Sequence, residues 1–131
     1  MTSDAEAELG RVFGALHPEV TIAPDGGGVV ATARFEPQPE HRGIRGLLHG
    51  GMAATVLDHV CARAAGAALG GPVVTGTLDL RYRHPVALDG GPYRVEVRAG
   101  RARGRAVRVA GAVLGPDGRS LVDARALFVA R

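Results

Sequence analysis

The stretch His49-Gly50-Gly51-Met52-Ala53-Ala54-Thr55-Val56-Leu57-Asp58, which runs on as HVCARAAGAAL to Leu69, decides the fold. Two glycines open a run dense in Met, Ala, Val and Leu that is apolar nearly all round. That pattern predicts a helix from Gly50 to about Leu69 buried by its surroundings instead of lying on a surface. Gly70-Gly71-Pro72 stops it, because glycine closes a helix end and proline cannot continue one.

On the C-terminal side the period changes. Val73–Tyr82, Tyr93–Ala99, residues 105–114 and residues 121–129 carry Val, Leu, Thr and Tyr at alternate positions and read as strands. Leu88-Asp89-Gly90-Gly91-Pro92, Arg103-Gly104 and Gly115-Pro116-Asp117-Gly118 separate them, so consecutive strands pair antiparallel. On the N-terminal side, residues 36–48 form an irregular loop. Strands at 20–23 and 29–35 flank the turn Pro24-Asp25-Gly26-Gly27-Gly28, and residues 2–16 space Leu9, Val12, Phe13 and Leu16 as one helical stripe. The expectation is an α+β fold in which an antiparallel sheet wraps one long central helix. Such a small sheet leaves part of that helix and its own edge strands uncovered, and pairing with a second copy would cover both, giving a homodimer or a dimer of dimers.

Composition narrows the function. The 131 residues suit one domain, 1–131, with 1–17 as an N-terminal helical extension. All sixteen basic residues are arginine, a bias that tracks a G+C-rich genome as much as any function. A net charge of +3 and 4% aromatic residues give no stacking platform for nucleic acid, so no nucleic-acid partner is expected. Asp58, His59 and Arg63 interrupt the most apolar stretch, which argues against a membrane span. The acidic start and the lone Cys61 fit a cytoplasmic protein without a secretory leader or internal disulfide.

Two features of the helix are costly unless used. Asp58 places a carboxylate in an apolar helix, with the small Ala54, Thr55, Cys61 and Ala62 beside it leaving room for a substrate. Gly50 offers an unpaired N–H at the positive end of the helix dipole, with no side chain to keep a carbonyl away. An oxyanion site requires this, although Gly50-Gly51 also serves simply to turn the chain tightly into the helix. Eight residues separate Gly50 from Asp58, about 12 Å along the axis, so one carbonyl cannot touch both. Two antiparallel helices across a two-fold axis would bring the mouth of one to the Asp58 of the other.

The spacing HGGMAATVLD resembles the hotdog-fold acyl-CoA thioesterases of the PaaI-like group, whose hallmark is HGG with Asp seven positions after the second glycine. PEHRGIRGLLHGG, VVTGTLDLRYRHPV, GRARGR and GPDGRSLVDARALF extend the likeness over most of the chain. The resemblance implies hydrolysis of an acyl-CoA or acyl-carrier-protein thioester without a cofactor. The Gly50 N–H would polarise the carbonyl, and Asp58 of the other subunit would act as general base or nucleophile. Thr75, ten residues before Pro85, falls where the group often has a water-positioning Ser or Thr. Thr77 shares its strand parity and stays open as an alternative. Many members place Asn six residues before the motif His, and this chain has Gly43. His49, with His41 as a helper, is the candidate to take over that load, and Gly51 joins the substrate-binding set.

The remaining candidates carry two readings each. His49 either bonds the thioester oxygen or fixes the loop. His59 points about 100° away from Asp58 on a helix and is not expected to pair with it. Cys61 reads as core. Arg101, Arg103 and Arg105 either share a face that meets the phosphates of coenzyme A or form a solvated hairpin tip. No HExxH, CxxC or acidic cluster suggests a metal. The rivals to a hydrolase are an acyl-CoA-binding sensor or carrier of the same fold, a dehydratase on that fold, and a structural dimerisation module.

Overall fold

In the computed structural model, which describes residues 3–131, the chain runs α1 (Asp4–Leu16), β1 (Val20–Asp25), β2 (Gly28–Phe35), α2 (Gly50–Leu69), β3 (Val73–Tyr82), β4 (Tyr93–Ala99), β5 (Ala106–Leu114) and β6 (Ser120–Ala130). The six strands form one antiparallel sheet in the order β1-β2-β4-β5-β6-β3. The sheet curls around α2. The expected elements are all present, with strand ends shifted by a residue or two. Thr2, expected to open the first helix, lies outside the described residues. No helix among them is long and apolar enough to cross a membrane.

Alternation along the strands builds the core. Val95, Val97, Val109, Val113, Val122 and Phe128 point inward and are buried against Val56, Leu57, Val60, Cys61 and Ala64 of α2. Their neighbours Arg94, Arg98, Arg108 and Arg125 face outward, where Arg98 pairs with Asp25. At its C-terminus α2 stops on Gly70 in the left-handed conformation (φ 76°), and the N–H groups of Gly70 and Gly71 both donate to the Gly66 carbonyl.

Three features matter for the site, the last two of them differences from expectation. First, α2 is not covered on every side: a stripe that includes Arg63 and Ala67 is exposed between the outermost strands β1 and β3. Second, the loop after β2 contains a 3-10 turn, Pro39–His41, that carries His41 into the core. Third, β3 is bulged at Gly76. Thr75 pairs with inward-facing Phe128, but Thr77 pairs with outward-facing Leu127. A side chain at Gly76 would lie 3.1 Å from the Leu127 carbonyl oxygen, which is why glycine absorbs the extra residue.

The short N-terminal helix is held by side chains from the rest of the chain. Ser3 and Glu6 close a capping box at its start. Arg11 binds Gln38 and both oxygens of Glu40, which holds the Glu40 carboxyl down to about 2. His41 Nδ1 accepts from the Gln38 N–H, so its proton sits on Nε2 and is donated to the Val12 carbonyl at 2.9 Å. His59 Nε2 lies 3.0 Å from the Pro18 carbonyl. His41→Ala removes both His41 bonds, strands two backbone groups and leaves a cavity. The expected cost is about 2–4 kcal/mol, read as a lower denaturant midpoint at unchanged m value.

Candidate active site

At the mouth of α2, His49 is the N-cap, with extended backbone angles (φ −62°, ψ 133°) and a Nδ1 that accepts from the Gly51 N–H at 2.9 Å. The proton of His49 therefore resides on Nε2, which has no partner among the described residues. Gly51 is thereby committed to the cap: its N–H is taken by His49 and its carbonyl accepts from Thr55 Oγ1. The Gly50 N–H differs. It precedes the first helical hydrogen bond, has no partner among the described residues, and is exposed at the positive end of a twenty-residue helix.

Eight residues on, Thr75 Oγ1 donates to Asp58 Oδ1 at 2.8 Å. This bond ties the middle of α2 to the edge strand β3. Asp58 Oδ2 has no partner among the described residues, and Asp58 is half-buried, so one oxygen is fixed while the other stays available to water. The structure thus brings Asp58 and Thr75 together. It does not bring Thr77 to them, because the Gly76 bulge turns Thr77 to the outer face beside Arg98, Arg108 and Arg125.

Other candidates are placed elsewhere. His41 is wholly buried with both ring nitrogens engaged by the backbone, and has nothing left to offer a substrate. His59 leans away from Asp58 toward Pro18 and the ring of His17, and desolvation lowers its pKa. Burial, with the Asp58 charge adding, pushes the Cys61 thiol up to about 12, so it stays an inert core thiol. Arg101, Arg103 and Arg105 lie in the turn between β4 and β5, where strand alternation does not apply. Arg101 and Arg103 line a cavity of about 580 Å³ together with Arg108, while Arg105 donates to the Ala130 carbonyl instead. Among the described residues no group of three or more His, Cys, Asp or Glu side chains is placed to share a metal.

Two features of the site go beyond what the sequence suggests. Tyr82, on the inner face of β3, donates its hydroxyl to the Gly50 carbonyl at 2.8 Å and lays its ring 3.5 Å from where a Gly50 side chain would begin. Only the parity reset at Gly76 puts Tyr82 on that face, and a bulge leaves no plain mark in a sequence. Gly43 is glycine for steric reasons. Its N–H donates to the Leu47 carbonyl at 2.7 Å, and a side chain there would meet His49 Cα at 3.0 Å. Gly43→Asn is accordingly expected to displace His49 and lower turnover several-fold instead of improving it, measured as kcat beside the circular dichroism melt.

Comparison with known proteins points to one family. The thioesterase superfamily model matches residues 45–122, more than half of the chain, covering the α2 mouth, Asp58 and Thr75. A stretch of 54 residues is 41% identical to the acyl-coenzyme A thioesterase THEM4 of Bos taurus; it makes up 41% of this chain and spans about a fifth (21%) of that relative's length. Among solved structures, a thioesterase superfamily protein superposes with a TM-score of 0.69 at 30% identity, over 86% of this chain and 56% of that one. A mutant of the phenylacetic acid degradation protein PaaI from Thermus thermophilus shares the fold at a TM-score of 0.68 and 24% identity, over 89% and 96% of the two chains.

Proposed function

The chain belongs to the thioesterase superfamily, and from that premise we propose that it hydrolyses an acyl-CoA or acyl-carrier-protein thioester in a site shared by two copies of the chain. The observation that carries this reading is the 2.8 Å bond from Thr75 Oγ1 to Asp58 Oδ1. A carboxylate held by one oxygen keeps the other aimed at a water, as a general base must.

The thioester carbonyl accepts from the Gly50 N–H of the facing helix, where the dipole stabilises the negative charge that develops on oxygen. Asp58 Oδ2 takes a proton from water as the water oxygen attacks the carbonyl carbon. The tetrahedral intermediate collapses, expelling the thiolate, and the thiolate recovers the proton from Asp58. His49 Nε2–H stands at the same helix mouth and serves as a second donor to the oxyanion. Tyr82 positions this mouth through the Gly50 carbonyl.

Two copies are needed because Gly50 and Asp58 of one helix lie about 12 Å apart. The edge strand β3 supports such pairing. Among the described residues it bonds only β6, and Val74 and Tyr82 are 50% and 54% exposed along it. Release of free thiol from a panel of acyl-CoAs, followed with a thiol reagent, tests the reaction class. Tight binding of acyl-CoA without thiol release would instead make the protein a sensor or carrier.

A further inference from the structure

The open stripe of α2 is the floor of an apolar groove. It has a volume of about 500 Å³, and Ala62, Gly66, Ala67, Ile22, Pro72 and Val73 form most of its lining. Its near end lies one step along each element from the Asp58–Thr75 pair. Ala62 lies one helical turn beyond Asp58, and Val73 lies two residues before Thr75 on the same face of β3. The groove exists because the helix places Ala, Gly and Ala where larger side chains would fill it. A side chain at position 66 would also sit tightly against the Gly71 carbonyl, at 3.3 Å.

We propose that this groove holds the acyl chain, making the substrate a straight-chain, medium-length acyl thioester whose length is set by Ala62 and Ala67. The inference rests on the hydrolase reading above, since that reading fixes the carbonyl beside Asp58. From Asp58 to Gly66 the helix advances about 12 Å. At roughly 1.2 Å of advance per extended single bond, that accommodates about ten carbons. The pantetheine arm is the poorer occupant because its amides need partners. The lining offers only His59, whose Nε2 is engaged by the Pro18 carbonyl and leaves Nδ1 alone, and Arg63 to meet them.

The test compares wild type, Ala62→Leu and Ala67→Leu on acetyl- through dodecanoyl-CoA and on phenylacetyl-CoA, reading kcat/KM for thiol release. Wild-type kcat/KM is expected to climb from acetyl to about octanoyl or decanoyl. Ala62→Leu, nearest the carbonyl, should leave acetyl-CoA within about twofold while cutting octanoyl-CoA about tenfold or more. Ala67→Leu, at an exposed position that folding tolerates, should penalise only the longer chains. An equal loss on every chain length, an unchanged profile, or a preference for the aryl substrate that A62L does not alter would each overturn the assignment. If no thioester is cleaved, binding of non-hydrolysable acetyl and octanoyl thioether analogues, measured by calorimetry, decides the matter. In that case the hydrolase reading fails by itself, and the groove stands or falls on whether A62L weakens only the octanoyl analogue.

Discussion

Replacing Asp58 with Asn is expected to lower kcat by about a hundred- to ten-thousand-fold while leaving the melting temperature within a few degrees of wild type. The two effects separate for a structural reason. Asn keeps an Oδ1 that accepts from Thr75 at the same place, so the tie between α2 and β3 survives. What disappears is the charge on the other oxygen, and with it the affinity for the water's proton. A KM that stays near wild type would locate the loss in the chemical step. Turnover within a few-fold of wild type would remove Asp58 from the mechanism.

The second large effect is expected at the helix mouth, where Gly50→Pro deletes the proposed oxyanion donor with little disturbance to the helix. Proline is tolerated at the first helical position, and the residue before it must be extended. His49 already is, at φ −62° and ψ 133°. A Cβ at position 50 meets only the Tyr82 ring, at an ordinary 3.5 Å. Losing one such donor costs about a hundred- to a thousand-fold in kcat. Gly50→Ala, which keeps the N–H and adds the same Cβ, should stay within about tenfold and separates sterics from chemistry.

Together the two variants test the shared site. In a mixture of D58N and G50P subunits, a mixed dimer has one site carrying both defects and one carrying neither. Random exchange of equal amounts should restore about a quarter of wild-type turnover by two-fold symmetry. A mixture no better than its components would place both groups in one subunit's own site, or assign neither the role proposed.

The architecture was legible because its elements announce themselves locally. Gly-Gly and Gly-Gly-Pro bracket α2, and turn residues separate strands whose alternation is regular. Thr75 entered as a partner for Asp58 only through the family resemblance, with Thr77 left open beside it. The sequence could not reveal the bulge at Gly76, which depends on the Leu127 carbonyl of a neighbouring strand, so Thr77 kept a parity it does not have. Nor could it show that His41, in a Pro-rich loop, is drawn into the core by Gln38 and Val12. The cost of burying its ring is met by two backbone hydrogen bonds, one accepted from nearby Gln38 and one donated to Val12, 29 residues away, and such contacts leave no periodic trace. That part of α2 stays uncovered follows from so small a sheet, but hydrophobicity alone did not mark Ala62, Gly66 and Ala67 as the floor of a groove.

The extra residue at Gly76 also acts like a single-letter insertion in a two-beat rhythm, and every position downstream is read out of phase. Pairing position 76 regularly, with no bulge, would therefore rotate Leu78, Leu80 and Tyr82 to the rear of the sheet together, uncoupling the helix mouth from its tyrosine in one step. Conversely, Thr77, Asp79 and Arg81 occupy the rear already. With the thickness of the sheet between them and the reacting atoms, they are the places where solubility or surface charge can be rewritten without touching catalysis.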